Sequence, residues 1–201
     1  MSTETSATSR PDIIVFDVET QRLFDEVGGP QHMDRLGLAA AVTYSVRDGR
    51  FRHFLEPQAD ELISTLMSAS VVVGFNCLRF DYRVLQAYTP FDLAQLPTVD
   101  MLRDIEQKLG FRVSLDRLAQ ATLGRKKTGD GLQSVQWYRE GKLGQVLSYC
   151  QVDVEITRDL FIYGLLHREV WFTDRNGQRT RVPVSWGEGG VGALYHSLSA
   201  A

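Results

Sequence analysis

Residues 13–21 read IIVFDVETQ. Ile13, Ile14, Val15, Phe16 and Val18 mark a buried β-strand, spanning residues 12–19, which Asp17 and Glu19 interrupt two positions apart. Side chains at i and i+2 of a strand leave the same face. The two carboxylates therefore stand side by side, their Cα atoms about 6–7 Å apart, with Phe16 and Val18 on the opposite face. Held so, both reach a common cation. A strand end spilling into solvent, its acids hydrated, is the plainer alternative at this point.

The rest of the chain has to supply a reason for acids on an apolar strand. It has 201 residues, 43% apolar and 23% charged, the balance of one soluble domain with a real core or of one domain with a small appendage. No apolar run approaches the ~20 residues that a membrane span needs. The opening MSTETSATSR lacks a charged head and an apolar stretch, so a secretory signal is not expected, residues 1–11 read as a disordered tail, and the location implied is the cytoplasm. A net charge of −3 argues against a passive nucleic-acid binder but leaves room for an enzyme that gathers acids around cations. Cys77 and Cys150 form no CxxC pair and read as buried thiols.

Hydrophobic periodicity orders the elements. After the first strand, a loop over 20–35 leads to a hairpin of 36–46 and 51–57 around Asp48-Gly49. Asp60 is positioned to cap a helix to about Ser68. Val71–Phe75 is a continuous apolar run, as in a strand buried on both faces. A helix is expected from Asn76, as its N-cap, to about Tyr88, and a short edge strand over 97–102. Helices follow over 102–109, 114–123, 132–140 and 142–166, then a hairpin around Asn176-Gly177. This is an α/β chain whose mixed sheet starts as three antiparallel strands and continues through two parallel crossover strands, flanked by helices. The expected organisation is one domain over 12–168, with 169–201 packed on it.

Two more segments place acids where apolar side chains belong. In GFNCLRFD (74–81), Asp81 falls on the predicted stripe of Cys77, Val84 and Leu85. In YCQVD (149–153), Tyr149 and Asp153 are one helical turn apart beside the stripe of Val146, Cys150, Val154 and Phe161. Each alone has a plain reading as a cap or a surface pair. Together, four carboxylates aimed inward repel: at ~4 Å and an effective dielectric of ~20 each pair costs about 4 kcal/mol. Protonation relieves that, or hard divalent cations with all-oxygen ligands do, meaning two ions of Mg²⁺ or Mn²⁺.

FDVET (16–20), GFNCLRFD (74–81) and YCQVD (149–153), separated by about 60 and about 70 residues, resemble the three motifs of the DEDD exonucleases in the ribonuclease H-like superfamily. Tyr149 stands four before Asp153, and Ser148 stands where the sister subclass has histidine, so the resemblance is to the DEDDy type. The run from Ser114 to Phe161 is similar to a prokaryotic group of predicted 3′–5′ exonucleases, some joined to helicases. The resemblance covers residues 12–185 and implies a ribonuclease H-like fold. It implies that Asp17, Glu19, Asp81 and Asp153 hold two metal ions and that Tyr149 orients the attacking water. Thr20 and Asn76 match auxiliary positions near the substrate end. The substrate implied is a single-stranded DNA or RNA 3′ end, with a separate helicase chain as a further partner.

Other residues have weaker assignments. Arg125, Lys126 and Lys127 are a basic cluster suited to steering a phosphate backbone. Trp137 and Tyr138 read as helix packing before base stacking, and Asp100 as a surface acid or cap before a fifth site acid. The competing functions are a catalytically silent nucleic-acid or helicase-binding module, whose mark is a missing acid, and an endonuclease with the same metal chemistry. None of the four acids is missing.

Overall fold

A computed structural model of the chain describes residues 11–125 and 131–200. The expected N-terminal tail, apart from Pro11, lies outside the described residues, as do Lys126 and Lys127. The opening stretch becomes β1 (Ile13–Thr20), the centre of a five-stranded sheet. β2 (Leu38–Ser45) pairs with it antiparallel, and β3 (Arg50–Leu55) pairs antiparallel with β2. The turn between them is the expected one, with Gly49 at φ +62°. On the other side β4 (Val71–Gly74) and β5 (Thr98–Asp100) run parallel to β1, giving the order β3-β2-β1-β4-β5. Three antiparallel strands and two parallel ones, flanked by helices, make the ribonuclease H-like mixed sheet expected from the sequence.

Alternation along β1 sorts the two layers. Ile14, Phe16 and Val18 pack with Leu62, Ile63 and Leu66 of α2 (Ala59–Met67) and with Val84 and Leu85 of α3 (Asp81–Leu85). Ile13 and Val15 pack on the other face with Met101 and Ile105 of α4 (Met101–Leu109), Leu118 and Ala119 of α5 (Leu115–Leu123), and Cys150, Val154 and Phe161 of α7 (Leu143–His167). α1 (Phe24–Val27) precedes these elements and α6 (Gly131–Arg139) leads into α7. Asp17 and Glu19 share the face of Ile13 and Val15, so they point toward α7. Among the described residues no helix is long and apolar enough to cross a membrane.

Several local expectations are corrected. The segment 76–88 is not one helix: Asn76 is left-handed at φ +70°, a turn follows, and the helix proper covers only Asp81–Leu85. Cys77 and Asp81 therefore do not share a helical stripe, and Asn76 is no N-cap. A Cβ at Gly74 would lie 2.7 Å from the Cys77 Cβ, so the glycine lets the chain double back there. Asp60 lies within the first turn of α2, whose N-cap is Gln58. The 20–35 loop holds α1 and a 3₁₀ stretch over Pro30–Arg35.

β6 (Glu169–Thr173) and β7 (Arg179–Pro183) form the second hairpin as a separate two-stranded sheet, followed by the unanticipated α8 (Val191–Ser199). Trp186 anchors this region. It is buried, its indole N–H donates to Asp104 Oδ2 at 2.9 Å, and its ring lies over Gly164 of α7. A Cβ at Gly164 would sit 2.3 Å from the ring carbon Cζ3. Gly164→Ala is therefore expected to cost about 1–3 kcal/mol by overpacking, lowering the melting temperature by roughly 2–12 °C. An unchanged melting curve would refute this packing.

Candidate active site

The site forms where β4 stops. The β1–β4 ladder ends at Val15↔Val73, which leaves the Val18 amide without a strand partner. Asp81 fills that gap from the start of α3: its Oδ1 accepts the Val18 N–H at 3.1 Å. The carboxylate thus lies against the main chain between Asp17 and Glu19. It is buried, and burial pushes its pKa up to about 7. Its own amide and that of Val18 oppose the shift, and the charge of Asp100 adds to it.

The turn that delivers Asp81 is held from the edge strand. Asp100 accepts the Asn76 N–H at 2.9 Å and the Leu78 N–H at 3.0 Å, while also capping α4 through the Arg103 N–H. The expectation of a cap was right in kind, but the cap is buried and supports the second motif. Arg112 Nη2 donates to Asn76 Oδ1 at 2.7 Å, which fixes the amide of a residue held left-handed. Sequence reading missed Arg112 altogether. Only the position of Asp100, at the carboxyl end of a parallel strand where α/β sites gather, was a usable signal.

α7 supplies the third wall. Tyr149, Cys150 and Asp153 are all buried on its inward side. The Cys150 thiol donates to the Asp17 main-chain oxygen at 3.3 Å and lies 3.7 Å from Asp17 Oδ2. Ligand atoms of Asp17, Glu19 and Cys150 all fall within 4.8 Å of one another. Burial, then the charges of Asp17, Glu19, Asp153 and Asp81 in that order, push the thiol pKa far up. Asp17 and Glu19 thus lie beside the buried thiol, and Asp81 and Asp153 are near enough for their charges to act on it. That thiol is held protonated and serves as a hydrogen-bond donor, so the oxygens beside it are the kind of ligand that suits a hard divalent cation.

Two open clefts lie near these elements, one lined by Tyr149 and the other by Asp17. One, of about 710 Å³, is lined by Trp137, Lys142, Ser148 and Tyr149. The Trp137 ring meets Tyr149 edge-on, with centroids 6.0 Å apart. The other, of about 500 Å³, is lined by Asp17, Phe75, Asn76 and Arg112. Thr20 sits at a register shift of β1 and its hydroxyl donates to the Arg22 carbonyl at 3.0 Å. Arg125 is bound by Asp159 at 2.6 Å and Glu155 at 3.3 Å, so its guanidinium is neutralised along the flank of α7.

The fold is shared with a solved structure, the family B DNA polymerase from the hyperthermophilic archaeon Pyrobaculum calidifontis, at a TM-score of 0.57 and 18% identity over 78% of this chain. The match covers 25% of the polymerase chain, so the likeness is one of fold over a quarter of that protein. No curated protein matches the chain. Residues 14–163, spanning all three acidic motifs, match the family model described as RNase_H superfamily, and the chain belongs to that superfamily.

Proposed function

We propose that the chain is a metal-dependent 3′–5′ exonuclease of the DEDDy type, acting on single-stranded nucleic acid. The observation that carries this is the Asp17–Glu19 pair at an open cleft, with buried Asp81 bonded to the main chain between them and buried Asp153 on the inward side of α7. In a superfamily of nucleases, so many buried acids in one place call for cationic partners, and the protonated thiol leaves the ligand set all oxygen.

In this reading Asp17, Glu19, Asp81 and Asp153 hold two divalent ions, Mg²⁺ or Mn²⁺. Bound there, such ions polarise a phosphoryl oxygen and make water a stronger nucleophile at neutral pH. Asp81, tied to the Val18 amide, keeps its place whether or not the ions are bound. Tyr149 orients the attacking water through its hydroxyl, and the edge of Trp137 limits where that ring can swing. Asn76, on the opposite cleft, meets the substrate end through its amide N–H₂, since its Oδ1 is committed to Arg112. The polarity of attack follows from the resemblance of the three motifs.

Tyr149→Phe is expected to lower turnover by roughly 10²-fold, the low end for a proton-handling group, without altering the melting temperature. Loss of all activity, or none, would remove Tyr149 from this role. The proposal itself is tested with end-labelled DNA and RNA oligonucleotides, single- and double-stranded, each end blocked in turn, with Mg²⁺, Mn²⁺ or excess EDTA. Stepwise shortening from an open 3′ end, stopped reversibly by EDTA, is the expected result. Full-length survival with retained binding would instead indicate a binding module, and cutting of a circular single strand an endonuclease.

A further inference from the structure

Arg112 lines the Asp17–Asn76 cleft and also a second one of about 480 Å³, which runs onto the C-terminal hairpin. Arg117, Phe111, Phe172 and Arg175 line the latter. We propose that this second cleft grips a single-stranded nucleic acid several nucleotides away from the scissile phosphate. The grip rests on the exonuclease reading for its strand, and on three independent observations for its chemistry.

The first is charge. Among the described residues, Arg112, Arg117 and Arg175 have no carboxylate at ion-pair distance. Arg112 donates to an amide oxygen and Arg117 to the Thr173 carbonyl, both neutral acceptors. Arg52, Arg79 and Arg139, by contrast, are each neutralised by an acid. The carboxylate in the same cleft, Asp174, is turned into its own hairpin, accepting the Asn176 and Gln178 amides at 2.8 Å each. In a chain of net charge −3, three guanidiniums facing one cleft with one turn-bound acid are a local excess that suits phosphates.

The second is an aromatic platform. Phe111 is 47% exposed, and Phe172 holds it edge-on with centroids 5.8 Å apart. Arg117 lies over the Phe172 ring at 5.6 Å, so the platform is braced from behind. A fixed, half-exposed ring among unneutralised arginines is the combination that stacks bases while tracking a backbone. The third is continuity: sharing Arg112 makes this cleft an extension of the one that contains Asp17. The hairpin lies beyond residue 163, where the superfamily match ends, while Phe111, Arg112 and Arg117 lie within it.

The test measures binding of the full chain to 5′-fluorescein oligothymidylates of three and twelve nucleotides, in EDTA, by anisotropy. Phe111→Ala and Arg175→Ala are each expected to weaken the twelve-mer about 10-fold and to leave the trimer unchanged. Arg175→Ala should also lower the slope of log affinity against log salt by about 0.7, one phosphate contact on a single strand. Phe111→Tyr should restore the twelve-mer. With Mn²⁺, KM for the twelve-mer should rise while kcat stays put. Equal weakening of trimer and twelve-mer, or no change on the twelve-mer, overturns the grip, the latter result pointing to an acidic protein as occupant. Because binding is read in EDTA, length-dependent loss without any cleavage would retain the grip and sink the exonuclease reading, and the reverse is equally visible.

Discussion

Asp17→Asn is expected to abolish cleavage, lowering turnover by about 10³-fold or more, while the chain still folds. Asp17 is central to the acidic cluster: its Oδ2 lies 3.7 Å from the Cys150 thiol and its ligand atom within 4.8 Å of that of Glu19. In the two-metal proposal, replacing one carboxylate oxygen by an amide N–H₂ removes a charged ligand and aims a donor at the cation. Metal stabilisation of a phosphoryl transition state amounts to several kcal/mol, and each 1.36 kcal/mol is tenfold in rate. The fold survives because the thiol's shorter bond goes to the Asp17 main-chain oxygen, which the substitution leaves alone. Asp153→Asn should behave alike. Single-turnover assays beside melting curves check both, and wild-type turnover in either variant would remove the assignment.

The second large effect concerns pH and the metal-free protein. The Asp81 carboxyl titrates near 7 in the folded chain and near 3.9 when unfolded. Between those values the folded state binds more protons than the unfolded one, so stability falls as pH rises through that window. By pH 8 the carboxylate is charged and buried, at a cost of a few kcal/mol relative to pH 4. Melting in EDTA should therefore occur roughly 10 °C higher at pH 5 than at pH 8 for a chain of this length. Adding Mg²⁺ or Mn²⁺ at pH 8 should recover much of the difference. Asp81→Asn should flatten it, because the amide oxygen still accepts the Val18 N–H without a charge. A flat wild-type profile in EDTA would mean that burial does not raise the Asp81 pKa.

The central strand and its two acids were legible because a strand has a period of two and only one face of β1 could tolerate carboxylates. Asp48-Gly49 named its hairpin, and Ser114 and Gly124 bracketed α5 as cap and stop, since those local bonds depend on few residues. Asp153 was legible for the same reason: α7 is long, and its stripe is set by its own sequence. Asp81 was recognised by motif but placed on the wrong local structure. Its surroundings are made by Asp100 from 19 residues downstream and by Val18 from 63 upstream, and helical periodicity carries no trace of either. Arg112 was invisible because its significance lies in touching Asn76 from a loop 36 residues away.

Asn76 carries one more consequence. At φ +70° it occupies a region where glycine would rest with less strain, yet glycine has no side-chain amide to accept from Arg112. Selection for heat resistance and selection for catalysis should therefore diverge at this residue, the first admitting Gly and the second retaining Asn. If the exonuclease proposal holds, a library sorted separately under those two pressures would split at position 76.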